Sequence, residues 1–153
     1  MTIDVHAHHV PDFYRDALIA AGHDHPDGIK AIPEWSEELA LAAMDRLGVR
    51  TSILSISTPG VYFGDAGKAA DLARQVNEEA ARLRAAYPER FGFFASLPLP
   101  DVDGALTEAR YALDTLHANG VIMQTNQDGV YLGDERLEPV YAEAARRDAV
   151  IFL

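Results

Sequence analysis

Thr2-Ile3-Asp4-Val5-His6-Ala7-His8-His9-Val10-Pro11 is the stretch from which this chain is best read. It is a short apolar run with two histidines one residue apart, and it reads as a buried β-strand. Successive side chains of a strand point to opposite faces, which puts Asp4, His6 and His8 on one face and Ile3, Val5 and Ala7 on the other. Two neutral imidazoles on one face can share a divalent ion, because imidazole nitrogen suits zinc and its first-row neighbours. A lone His-x-His is more often a structural or accidental pair than a site, so its meaning rests on the rest of the chain. His9 points away from the pair and reads as a packing or surface residue.

Working outward, the chain alternates strands with helices. A loop with a turn or two of helix at Phe13 to Ala20 holds His23, Asp24 and His25 in a glycine- and proline-rich setting that marks solvated turns. Ser36 opens a helix with Glu37 and Glu38 in its first turn, Leu39, Ala43 and Leu47 along the expected buried face, and Gly48 as its stop. Thr51 to Ser57 reads as strand two and ends at Thr58-Pro59-Gly60. A long helix from Asp65 to Ala86 carries Leu72, Val76, Ala80 and Leu83 on one stripe. Phe91 to Leu99 is strand three, and Asp101 or Asp103 caps a helix through Leu106, Ala109, Leu113 and Leu116. Val121 to Asn126 is strand four. A turn-rich connection after Asp128-Gly129 leads to a short helix with Pro139 at its first position and to a fifth strand, Ala149 to Leu153.

Most of these strands are apolar on both faces, as in a parallel sheet covered by helices with right-handed crossovers. The fold class is therefore α/β, a single domain over residues 1–153. Two architectures fit, an open doubly wound sheet or the first five strands of a TIM (β/α)8 barrel. Both place ligands at the carboxyl ends of the strands. The strand-end residues Thr58, Pro59, Pro98 and Asn126 are candidate lining residues, with Tyr62 and Phe63 as a candidate aromatic wall. For each of them turn geometry or packing is the simpler explanation.

Composition narrows the chemistry. The 153 residues contain no cysteine, so neither a disulfide framework nor a thiolate metal site is available, and any ion must use histidine and carboxylate. A formal charge of -11 speaks against nucleic acid and anionic membranes as partners, since both need a basic footprint. No apolar run approaches the ~20 residues that span a bilayer, and a cytoplasmic setting is expected. Gly64-Asp65-Ala66-Gly67-Lys68-Ala69 departs from a phosphate-binding loop: Tyr62 stands where its first glycine belongs and Ala69 where a magnesium-binding hydroxyl belongs. There is no Gly-x-Gly-x-x-Gly after a strand and no Gly-x-Ser-x-Gly nucleophile elbow. Ser55 and Ser57 share a face of strand two and read as packing residues with local hydroxyl hydrogen bonds.

Five collinear blocks carry a resemblance: Asp4 to His8, Met44 to Val49, Ser57 to Val61, Phe91 to Pro100 and Tyr131 to Leu137. Together they resemble the amidohydrolase-related family, and within it the metal-dependent decarboxylases of aminocarboxymuconate semialdehyde, resorcylate and methylsalicylate. The resemblance implies a (β/α)8 barrel with one divalent ion, zinc or, as the alternative, manganese. His6 and His8 match its first two ligands. The other ligands it implies, a strand-five histidine and a late aspartate, and the strand-six histidine of proton transfer have no positions in this sequence. The resemblance thus implies the N-terminal five-eighths of a barrel, with open edges that favour a homo-oligomer. The implied partner is a small-molecule carboxylic acid that loses carbon dioxide. Hydrolysis of a lactone or amide, or a non-catalytic role, are the alternatives. Ala40 and Ala42 stand where some of these decarboxylases keep an arginine for the substrate carboxylate, which leaves the substrate open.

Overall fold

The computed structural model describes residues 2–153. In chain order the elements are β1 (Thr2–His8), α1 (Asp12–Ala20), α2 (Glu37–Leu47), β2 (Val49–Ser55), α3 (Ala66–Ala86), β3 (Phe91–Ser96) and α4 (Val102–Asp114). They continue with β4 (Gly120–Ile122), β5 (Asn126–Gln127), β6 (Val130–Tyr131), α5 (Glu138–Arg146) and β7 (Val150–Phe152). Five strands form one parallel sheet in the order β1-β2-β3-β4-β7. This order follows the chain without a reversal, which rules out the open doubly wound sheet and leaves the incomplete barrel. The sheet curls strongly enough that the ring of His6, on the first strand, lies 5.3 Å from the ring of Phe152, on the last.

The helices start and stop where local chemistry dictates. Ser36 accepts a hydrogen bond from the Leu39 N–H, and Gly48 closes α2 in the left-handed conformation at φ 68°. Asp65 and Asp101 cap α3 and α4 by accepting from the N–H groups of Lys68 and Gly104. All six residues of β3 are buried. Its outward side chains Phe91, Phe93 and Ala95 pack with Leu54, Leu83 and Ala109 in the main core, and its inward side carries Phe94 and Ser96. A buried polar clasp ties helices to the carboxyl end of β3: Asn77 Nδ2 donates to the Ser96 carbonyl at 3.0 Å and to Glu108 Oε1 at 2.8 Å, while Asn77 Oδ1 accepts from the Ser96 N–H at 2.8 Å. Arg74 closes the clasp with an ion pair to Glu108 at 2.8 Å.

Several expectations change on contact with the structure. β1 is an exposed edge strand and not a buried one, with Ile3 and Val5 about half exposed, because nothing among the described residues pairs with its free edge. On α2, Leu39 and Leu47 are 56% and 71% exposed and Met44 is the buried residue, since the face toward β2 lies a third of a turn from the apolar stripe. On α4 the buried positions are Ala105, Glu108, Ala109 and Ala112, while Leu106 and Leu116 are partly buried against the main core. Strand four stops at Ile122, and Asn126 belongs to an antiparallel hairpin, β5 with β6, turned by Asp128 and Gly129 at φ 50° and 79°. Both central residues at positive φ define the type I′ turn that Asp-Gly favours.

Candidate metal centre

β1 and β2 run parallel, with Ala7 opposite Leu54 and His8 opposite Ser55. Asp4 lies opposite Ser52, so β1 spends one more residue than β2 between these pairs. This irregularity breaks the strict alternation. His6 and His8 therefore stay together while Asp4 does not join them, contrary to the shared face expected from the strand period. The Asp4 carboxylate instead accepts a hydrogen bond from the His6 backbone N–H at 3.0 Å.

The two imidazoles converge. His6 Nε2 and His8 Nε2 are 3.0 Å apart, with the rings edge to face at 4.8 Å. Two nitrogens bound to one ion at about 2.1 Å each lie roughly 3 to 3.5 Å apart for angles between octahedral and tetrahedral, so the pair fits two positions of one coordination sphere. Among the described residues no group of three or more His, Cys, Asp or Glu side chains could hold an ion. A catalytic centre takes three protein ligands and an open position. Two imidazoles alone fall one protein ligand short of such a centre.

Apolar rings frame it. The Phe152 ring packs edge-on against His6 and stacks on Phe94 at 5.1 Å with 10° between planes. Behind the pair, His9 is fully buried, its ring 5.9 Å from that of Trp35. Neither of its ring nitrogens has a well-formed hydrogen bond. Burial lowers its pKa to about 4, against weaker opposing pulls from the backbone of Ser55 and Val76 and from Glu79. His9 is therefore neutral at physiological pH.

The other sequence candidates fall in different places. Thr58 Oγ1 donates to Gln124 Oε1 at 3.1 Å, joining the loop after β2 to the segment after β4. Nearby, Gln127 Nε2 donates to the Pro59 carbonyl at 3.4 Å and Tyr14 Oη to the Gly60 carbonyl at 2.7 Å. Asn126 Oδ1 accepts from the Gly129 N–H and so serves the hairpin turn. Phe63 lines a groove of about 530 Å³ between α1 and α3 with Phe13, Val61 and Leu72, and its ring lies 5.3 Å from that of His23. Tyr62 beside it is half-buried. His25 pairs with Asp24 at 3.0 Å on the surface. Ser55 and Gln124 carry functional promise that the sequence reading gave to neither. Ser55 has its signal in the β1–β2 register, and Gln124 in its place two residues past the end of β4.

A parallel β/α half-barrel with a histidine pair on its first strand defines a class, and the comparisons with known proteins specify it. The sequence model of the amidohydrolase family matches residues 3–153, and the chain belongs to that family. It is 49% identical to 6-methylsalicylic acid decarboxylase acuB of Aspergillus aculeatus, over all of this chain and 47% of that protein. A crystal structure of an amidohydrolase II superposes with a TM-score of 0.94 at 38% identity, covering 99% of this chain and 49% of the other. A dihydroxybenzoic acid decarboxylase from Polaromonas, solved with bound manganese, shares the fold at a TM-score of 0.80 and 24% identity, covering 99% and 48%. The chain spans about half the length of the curated relatives it matches.

Proposed function

We propose that this chain supplies the first two ligands of a divalent-metal-dependent decarboxylase acting on a small aromatic carboxylic acid. The observation that carries the reading is the 3.0 Å convergence of the His6 and His8 Nε2 atoms. The family membership and the identity to a 6-methylsalicylic acid decarboxylase support the reaction class. Zinc suits a pair of imidazoles, and manganese, the ion in the Polaromonas enzyme, is the alternative. When bound, such an ion supplies a Lewis acid that orients and polarises the oxygens of a hydroxybenzoate. Among the described residues no third histidine or carboxylate joins the pair.

His6 and His8 bring their Nε2 atoms to a common point, and the Phe152 ring, itself stacked on Phe94, packs edge-on against His6. Thr58 and Gln124 place a hydroxyl and an amide among the strand ends, where substrate oxygens are bound in such folds. Tyr62, Phe63 and Asn126 are kept as lower-ranked lining candidates, Phe63 facing the helix-side groove. The exposed edge of β1 supports self-association into a homo-oligomer.

The direct test is a chimera in which this chain replaces the matching half of the Aspergillus relative. Manganese- or zinc-dependent release of carbon dioxide from 6-methylsalicylate is expected, abolished by His6→Ala or His8→Ala. A folded, metal-loaded chimera that releases none contradicts the reading.

A further inference from the structure

We infer that Ser55 is a positioning residue that fixes the tautomer of His8 and thereby decides which nitrogen of that ring is free to bind. The inference rests on the reading of His6 and His8 as ligands. Ser55 is fully buried on β2 directly opposite His8. Its Oγ lies 3.2 Å from His8 Nδ1, and its carbonyl oxygen lies 3.4 Å from the same nitrogen. That carbonyl also accepts the backbone N–H of His9 at 3.1 Å, so one serine anchors both the ring and the main chain at the end of β1.

The chemistry of the two oxygens selects a tautomer. A carbonyl oxygen only accepts, so a bare Nδ1 would set lone pair against lone pair. A proton on Nδ1 satisfies both the carbonyl and the hydroxyl. Neutral His8 is therefore the Nδ1–H form, and its Nε2 lone pair is aimed at His6. The 3.0 Å contact between the two Nε2 atoms then needs its proton from His6. The pair is asymmetric as a result: His8 is preset for binding, whereas His6 must move its proton from Nε2 to Nδ1 before both nitrogens can hold one ion. A hydrogen bond from the far ring nitrogen to a neighbouring oxygen is the usual way a protein orients a histidine ligand, and its loss costs about 10- to 100-fold in affinity.

The experiment is long-range 15N correlation of the histidine rings in the metal-free chain, above the pH range where imidazole protonates, followed by titration with Zn2+. Wild-type His8 is expected as Nδ1–H and His6 as Nε2–H, and zinc should switch His6 alone. Ser55→Ala leaves the carbonyl as the one remaining partner of Nδ1 at this residue, so it should lower the Nδ1–H fraction of His8 without abolishing it and weaken zinc binding about tenfold or more. Ser55→Thr, which keeps the hydroxyl, should restore both. If the alanine variant does not fold, Ser55→Cys, with a much weaker acceptor, takes its place and should shift the population in the same direction. An Nε2–H form of His8 in the wild type, or a tautomer that is the same with and without the serine hydroxyl, overturns the inference. A serine-dependent tautomer in a chain that binds no zinc supports the role of Ser55 and overturns the metal reading instead.

Discussion

His9 shows how a residue beside the candidate ligand pair can carry a cost that its neighbours do not. Its ring is sealed beneath Trp35 with no good partner for either nitrogen, and burial lowers its pKa to about 4 from an ordinary 6.5. Between those values the unfolded chain binds a proton at this position that the folded chain refuses. Stability therefore rises with pH across the window from about 4 to 6.5 and is lost as pH falls through it, by up to roughly 3 kcal/mol. His9→Leu, which leaves no polar atom unpaired, should remove this part of the pH dependence and hold or raise stability at neutral pH. Urea unfolding at pH 5 and pH 7.5 checks it; an unchanged slope with pH would show that His9 is not the group responsible. At this scale the histidine pair was legible in the sequence, but two partners were not. Ser55 meets His8 only through a cross-strand register 47 residues apart, and Asp4 leaves the pair because of a one-residue irregularity in β1. Neither has a local sequence signature.

At the scale of elements, the clasp of Asn77, Glu108, Arg74 and Ser96 holds the carboxyl end of β3, from which the chain leaves into the mouth of the barrel. Asn77 fills both backbone groups of Ser96 and one oxygen of buried Glu108. Asn77→Ala would strand all three in a region without water. It should cost about 2–4 kcal/mol, more than the loss of a single hydrogen bond. Thermal unfolding of the variant measures this, and a loss below about 1 kcal/mol would mean that water or a rearranged Arg74 replaces the amide. Helix boundaries were well marked in the sequence by Ser36, Gly48, Asp65 and Asp101, because caps are local chemistry. The buried faces of α2 and α4 were not. Apolar periodicity shows that a stripe exists, whereas Leu39 and Leu47 lie exposed because which face meets the sheet depends on neighbours far along the chain. The β5–β6 hairpin had its Asp-Gly signal, but the flanking Asn126 and Gln127 lack the apolar alternation that would have made it a strand.

For the whole molecule, strand order decided the architecture that sequence alone left open between an open sheet and a barrel. What the order also reveals is an outer edge of β1 with no partner strand among the described residues, with Ile3 and Val5 at 49% and 48% exposure, and exposed Leu39 and Leu47 on α2. An apolar edge of this kind promotes association. Ile3→Lys with Val5→Lys should shift this chain toward monomer in size-exclusion chromatography with light scattering. An unchanged mass distribution would place any contact elsewhere.

The claim on which the rest depends is that His6 and His8 hold one divalent ion between them. Titration of the chelator-treated chain with Mn2+, followed by the loss of the free-ion electron paramagnetic resonance signal, tests it most directly. About one site per chain is expected, absent from His6→Ala and from His8→Ala and weakened in Ser55→Ala. Equal binding by the wild type and by the variant lacking both histidines would contradict it.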